Sequence, residues 1–382
     1  MDADDFEAIL ASVRTFVHDE VRPREEQIEE TDEIPPDLRK KAAAMGLFGF
    51  ALPEEFGGLG FSMTEDVRLA FELARTTPAF RSMVGTNNGL AGKVLVHDGS
   101  PEQQQTWLPR IAAGEVIASF ALTEADAGSD PSGLRTRARR EGDGWVLDGA
   151  KRFITNAPVA DLFVVFARTD SDTAGTSRGI SAFLVEAGTP GLFVGPKDKK
   201  MGQAGAWTAE VVLDEVRVPA DALVGAEGAG FRTAMKSLAR GRLHVAALCV
   251  GLADRILEET VQAAATIRQG GQAIGEFQLV QAHLAESQAE LYAGRAMVLE
   301  AARAYDAGED MTLAPSSAKL FCSEMLGRVA DRGVQVHGGM GYMRSVPVER
   351  FYRDARLFRI YEGTSEIQKL IIARRLLADV AG

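Results

Sequence analysis

The sequence predicts an α+β chain in three parts: an N-terminal α-helical domain over 1–118, a middle β-barrel or β-sandwich domain over 119–226, and a C-terminal α-helical bundle over 227–382. Three observations predict it. Apolar residues recur at helical spacing in the first part, short β-type runs broken by turn residues follow, and the helical period returns after Pro219. A chain of 382 residues is also too long for one ordinary core, so several packed units are expected.

In the first part Phe6, Ile9, Leu10, Val13, Phe16 and Val17 fall on one helical face, and Pro23 ends that pattern. Further helices are expected around Leu38–Leu47, Val67–Leu73 and Pro101–Ile111, with Gly-rich turns such as Gly57-Gly58-Leu59-Gly60 between them. In the second part Trp145–Ile154 reads as two strands around an Asp148-Gly149 turn. Leu162–Phe166, Ile180–Val185, Val211–Leu213 and Val216–Val218 read as separate short strands. In the third part helices are expected from Gly230 into the 260s, from Phe277 to Tyr305, from Pro315 toward His337, and from Glu366 to Val380.

Composition narrows the function classes. Hydrophobic residues at 46% and charged residues at 25% are ordinary for a globular protein. A formal charge of −12 argues against nucleic acid or anionic lipid as a general partner. Cys249 and Cys322 lie in apolar helical patterns and read as buried thiols. The start Met1-Asp2-Ala3-Asp4-Asp5 is acidic where a secretion signal is basic, and no apolar run reaches the ~18 residues of a membrane span. A soluble, cytoplasmic protein is expected. The five histidines show no paired ligand spacing and there is no Cys-x-x-Cys, so no metal is expected. Gly339-Met340-Gly341 begins like a dinucleotide fingerprint, but Arg344 stands where the third glycine belongs and no strand precedes it. P-loop and nucleophile-elbow patterns are absent as well.

Four segments place polar and small residues where a packing-only element has apolar ones. Ala121-Leu122-Thr123-Glu124-Ala125-Asp126-Ala127-Gly128-Ser129-Asp130 can present backbone N–H groups to an anion; its composition also fits a surface loop. Lys151–Ala157 is a strand ending in polar residues, where Phe153 beside Thr155 fits either a planar ligand or a core. Gln335–Tyr342 ends a helix in three glycines where a C-cap uses one. Tyr361-Glu362-Gly363-Thr364-Ser365 sets a carboxylate just before a helix that Thr364 or Ser365 can cap. A lone Glu there is ordinarily a solvated acid favoured by the helix dipole.

Jointly, these segments resemble the acyl-CoA dehydrogenase family, from the first helix to about Leu377. The stretch Ala121–Gly133 matches the first family signature. Gln335–Asp354 matches the second except at Ser345, where an acidic or amide residue is usual. The resemblance implies an FAD enzyme that dehydrogenates an acyl-CoA to a trans-2-enoyl-CoA, with Glu362 taking the α-proton and the β-hydride passing to flavin N5. In a minority of members the base precedes an Arg on the first long C-terminal helix; here that position is Gly241, before Arg242. The resemblance assigns the flavin to Phe120, Ala121, Leu122, Thr123, Gly128, Ser129, Phe153, Ile154, Thr155, Thr364 and Glu366. It assigns the adenine half to Phe277, Gln278, Gln335, Gly338 and Gly339, largely across a subunit interface of a homotetramer built as a dimer of dimers. Ser129, Arg242, Gly363 and Arg374 fall to the acyl-CoA, and an electron-transfer flavoprotein is the implied acceptor.

Three departures stand out. Gly270-Gly271 replaces the usual Phe-Gly, so Arg268 sits one step from the usual pyrophosphate Arg; Ala239 replaces an Asp; and Ser345 departs as above. Arg81 falls where glutaryl-CoA dehydrogenases place an Arg for the distal carboxylate, although a salt-bridged Arg in a surface loop fits equally. The alternatives are therefore a dehydrogenase, decarboxylating or not, of a dicarboxylyl or otherwise anionic acyl-CoA, an oxidase, and a catalytically silent binding subunit.

Overall fold

The computed structural model of the chain describes residues 2–309 and 311–381. Seven helices come first: α1 (Ala3–Phe16), α2 (Glu25–Thr31), α3 (Pro36–Ala44), α4 (Met63–Leu73), α5 (Pro78–Thr86), α6 (Lys93–Asp98) and α7 (Pro101–Ala112). Their starts follow local chemistry. Ser62 and Glu65 form a capping box on α4, Ser100 and Gln103 form one on α7, and Thr77 caps α5 ahead of Pro78. Phe6, Leu10, Val13 and Phe16 of α1 are buried together with Leu38, Phe48 and Phe80. Between α5 and α6 the chain widens into a π-helical turn, Asn87–Gly92. Within it, the buried Asn87 Oδ1 accepts from the Ala118 N–H at 2.6 Å and ties the helices to the first strand.

The middle part holds β1 (Ala118–Ala121), β2 (Arg137–Glu141), β3 (Gly144–Thr155), β4 (Leu162–Arg168), β5 (Ile180–Glu186), β6 (Leu192–Val194), β7 (Thr208–Val218) and β8 (Leu223–Val224). They form one sheet in the order β6-β7-β3-β2-β4-β5-β8, with β1 parallel to β4. Strand alternation sorts β4 between two cores. Phe163, Val165 and Ala167 pack inside the folded sheet with Trp145, Leu147, Phe183 and Val211. Leu162, Val164 and Phe166 face the helices with Leu95, Leu108 and Ile111.

The sheet corrects two sequence expectations. Trp145–Ile154 is one strand, and Asp148-Gly149 is a bulge within it rather than a hairpin turn. Val211–Leu213 and Val216–Val218 are likewise one strand. The two irregularities face each other, with Asp148 Oδ1 accepting from the Glu215 N–H at 2.9 Å. Gly149 is required there: its φ is +149°, and a Cβ would lie 2.5 Å from Thr136 Oγ1.

The third part contains α8 (Gly230–Thr266), α9 (Gln278–Asp306), α10 (Leu313–His337), α11 (Pro347–Ala355) and α12 (Ser365–Ala381). With 37 residues α8 is about 55 Å long. Its middle is buried on every side against α4, α9 and α10, which explains why Leu243–Ala253 is nearly all apolar. Asp306, at the end of α9, accepts from the Met63 and Thr64 N–H groups at 2.6 and 2.8 Å and so locks the bundle to the start of α4. Cys249 and Cys322 are buried and unbridged. Among the described residues no helix is long and apolar enough to cross a membrane, and no His/Cys/Asp/Glu group could hold a metal ion.

Candidate active site

Glu362 lies in the turn between α11 and α12, in a left-handed conformation at φ +51°, followed by Gly363 at φ +95°. A non-glycine residue there is strained, so the surroundings must hold it. They do. Lys319, fully buried on α10, donates from Nζ to the Gly363 carbonyl at 2.7 Å, and Gln368 Nε2 donates to the same oxygen at 3.1 Å. Gly363 is needed, because a Cβ would lie 2.5 Å from that Gln368 nitrogen. Thr364 caps α12 through its Oγ1 to the Ile367 N–H at 3.3 Å, as expected of one of the two candidates. Ser365 is buried and instead donates to Glu324 Oε1 at 2.7 Å.

The Glu362 side chain is 8% exposed, and among the described residues its Oε2 is buried without a hydrogen-bond partner. Such an orphaned carboxylate oxygen calls for an explanation other than packing. It abuts α8 at Gly241, where a Cβ would lie 2.2 Å from Oε2 and 3.5 Å from Leu90 Cδ2. The two places at which the resemblance allows a base therefore share one volume. Arg242, next on α8, has a buried Nε without a partner; burial lowers its guanidinium from the ordinary value, and the Glu362 charge opposes that.

Arg81 departs from the surface-loop reading. It sits on α5, 4% exposed, with its Nη2 3.8 Å from Glu362 Oε1. Its Nε donates to His244 Nε2 at 2.8 Å, and His244 Nδ1 meets Asp66 Oδ1. Asp66, His244 and Arg240 are missing from the sequence reading. The one local signal is a polar His inside the apolar run Leu243–Ala253 of α8, without any paired ligand spacing.

The strand residues come together beside this pocket. The Arg152 N–H donates to the Thr123 carbonyl at 2.8 Å, and the Ser119 hydroxyl donates to the Thr155 carbonyl at 2.8 Å. Phe120–Thr123 and Phe153–Thr155 therefore form one ledge. Fully buried Lys151 bridges to Glu124 Oε1 at 2.7 Å and to the Leu122 carbonyl at 3.2 Å. Burial lowers the Lys151 amine to about 8, against the opposing pull of Glu124. Glu124 also accepts from the Arg135 and Thr136 N–H groups, so the 121–130 segment is clamped rather than loose. Asn156, at the end of β3, donates to the Ser82 carbonyl at 3.2 Å and so joins this ledge to the residue after Arg81.

The ledge fits FAD. Phe153 is 60% exposed at φ +58°, an apolar ring held out of a strand by strained backbone, whereas Ile154 is buried. Gly128 and Ser129 are exposed, with open space at Gly128. Phe153, Asn156 and Glu362 are three of the six non-glycine residues with positive φ among those described, so backbone strain gathers at this cleft.

The residues expected at the adenine half lie apart from the pocket. Arg268, Phe277, Gln278, Gln335, Gly338 and Gly339 are all exposed around a small cluster of Ala264, Ile274 and Val336. Arg268 Nη1 donates within its own turn, to the Gly271 carbonyl at 3.3 Å. Along α8, the end of that helix is about 38 Å from Gly241. Glu366 and Arg374 are exposed on α12.

An orphaned, buried carboxylate beside a strained and exposed aromatic ledge is the arrangement of an enzyme site open to a planar ligand, not of a packing core. The chain belongs to the acyl-CoA dehydrogenase family of FAD-dependent oxidoreductases acting on CH–CH bonds, because the family's N-terminal, middle and C-terminal domains match residues 3–115, 119–216 and 228–377. It is 39% identical to an acyl-CoA dehydrogenase of Bacillus subtilis, over 96% of each chain. It is 38% identical to the CarC subunit of a caffeyl-CoA reductase–Etf complex of Acetobacterium woodii, over 92% of each. Butyryl-CoA dehydrogenase of Megasphaera elsdenii shares its fold at a TM-score of 0.94 and 32% identity, covering 99% of this chain and 100% of that one.

Proposed function

We propose that the protein dehydrogenates an acyl-CoA thioester at its α,β bond to give a trans-2-enoyl-CoA, with Glu362 as the base for the α-proton. The observation that carries this is the buried Glu362 Oε2 without a partner, facing Gly241. A carboxylate removes so weakly acidic a proton only when it is dehydrated and the enolate is stabilised. An acyl chain entering beside Leu90 completes the dehydration. The Glu362 N–H, placed by the Lys319 and Gln368 contacts to its turn, is the chain's own donor to the thioester oxygen. FAD, when bound, supplies the hydride acceptor. Phe120–Thr123 and Phe153–Thr155 hold it, and Ser129, Arg242, Gly363 and Arg374 serve the CoA thioester. A yellow protein that bleaches anaerobically with an acyl-CoA supports this reading. A yellow protein that no acyl-CoA bleaches is a binding subunit instead, and oxygen uptake without an added acceptor marks an oxidase.

Within that reaction the Arg81 geometry favours an anionic acyl group. A guanidinium 4% exposed in an acyl pocket is costly unless it meets an anion, and Glu362 at 3.8 Å is too long for a direct hydrogen bond. Arg81→Ala is expected to cost roughly 2–5 kcal/mol for a dicarboxylyl-CoA. Turnover of the straight-chain acyl-CoA should be unchanged or improved. Rapid-mixing flavin reduction measures both, and equal effects on the two would make Arg81 structural.

The separation of about 38 Å along α8 supports a cofactor shared between subunits, with Arg268, Phe277, Gln278, Gln335, Gly338 and Gly339 serving a neighbour's adenine half in a homotetramer. Sedimentation is expected to show a tetramer with one FAD per chain. A monomer retaining stoichiometric FAD would refute this. The likeness to a subunit of an Etf complex supports an electron-transfer flavoprotein as redox partner.

A further inference from the structure

Arg81 is held by a line of buried groups drawn from three helices. Its Nε–H can only donate, so His244 Nε2, 2.8 Å away, must carry its lone pair. The imidazole proton therefore sits on Nδ1 and is donated to Asp66 Oδ1. Burial, with the Arg81 charge next in order, lowers His244 from its ordinary value and keeps it neutral. Phe50 stacks on the ring with centroids 5.7 Å apart and planes 10° apart. On the far side Arg240 donates to Asp66 Oδ2 at 2.8 Å. Burial works against the Asp66 charge, but the Arg240 guanidinium and the hydrogen bond from the neutral His244 ring outweigh it and hold the carboxyl below its ordinary value.

The charges in this line matter. Asp66 is matched by Arg240, and His244 is neutral, so this line orients Arg81 without itself neutralising it. Among the described residues the ion-pair partner of Arg81 is Glu362, 3.8 Å away. At that distance Glu362 offsets the cation without a direct hydrogen bond to it. A carboxylate on the acyl tail can make that bond on binding.

We propose that His244, fixed by Asp66, is a specificity-determining positioning residue: a neutral acceptor that aims Arg81 at the acyl tail and leaves its charge for an anionic group there. This rests on the anionic-substrate reading of Arg81. The probes are glutaryl-CoA and its uncharged counterpart pentanoyl-CoA, mixed anaerobically with the FAD-loaded protein. Reduction rate and dissociation constant are read separately, and flavin content and melting temperature check each variant. His244→Met, which cannot hold Arg81 Nε, is expected to lower the preference for glutaryl-CoA by about tenfold or more, the scale of one hydrogen bond to a charged group, and chiefly in the dissociation constant. His244→Gln, a neutral acceptor, should retain most of the preference. Adding His244→Met to Arg81→Ala should lower it no further.

The proposal fails if His244→Met keeps the wild-type preference while Arg81→Ala loses it, or if the two losses add. If Arg81→Ala itself leaves the preference unchanged, the anionic reading falls and this proposal falls with it. Should His244→Met not load FAD, Asp66→Asn is read in its place. Its one oxygen stays on Arg240, so its NH2 faces Nδ1, moves the ring proton to Nε2 and ends acceptance from Arg81; it must therefore also lower the preference, and an unchanged preference overturns the proposal.

Discussion

Glu362→Gln is expected to leave FAD and acyl-CoA binding intact while flavin reduction by the acyl-CoA falls by at least about 10³-fold, near the scale for losing a general base. Glutamine matches the carboxylate in shape, and the features that hold the turn do not involve the side chain. Lys319 and Gln368 grip the Gly363 carbonyl, and Thr364 caps α12. Binding should therefore be separable from chemistry. Rapid mixing under anaerobic conditions checks this. Near-normal reduction by the Gln variant would remove Glu362 from the role of base.

The second large effect is expected at Gly241. A methyl group there would lie 2.2 Å from Glu362 Oε2 and 3.5 Å from Leu90 Cδ2, so in Gly241→Ala the carboxylate must swing out of its place. Displacing a reacting group by an ångström costs about 10²-fold, and reduction should fall by at least that much although no chemical group is removed. The paired change Gly241→Glu with Glu362→Gly puts a carboxylate into the same volume from α8. It should recover part of the reduction lost in Glu362→Gly alone. A Gly241→Ala protein as fast as wild type would show that Glu362 works from a different rotamer, with the α8 contact irrelevant.

The sequence carried the helices well, because long amphipathic and buried patterns such as Leu243–Ala253 have few competing readings. It misled at Asp148-Gly149, where the same dipeptide serves a hairpin or a bulge. The choice depends on Thr136 crowding the glycine and on Glu215 donating to Asp148, contacts made far along the chain. The short helices α2, α5, α6 and α11 carry too few turns to show a period in the sequence. The motif around Glu362 was legible because its neighbours Gly363 and Thr364 are local requirements of the turn. The residue Arg81 was legible too, but its burial was not, since nothing within Phe80-Arg81-Ser82 reveals it. Its partner His244 lies 163 positions away, and Asp66 reaches His244 from a third helix.

The central claim is that this cleft removes a proton and a hydride from adjacent carbons of an acyl-CoA. The most direct test mixes the FAD-loaded wild-type protein with a panel of acyl-CoAs in the absence of oxygen and assays the thioester afterwards. Bleaching of the flavin with one trans-2-enoyl-CoA formed per flavin reduced is the expected result for at least one member of the panel. Stoichiometric FAD that no acyl-CoA bleaches, or bleaching without an enoyl product, would contradict the account.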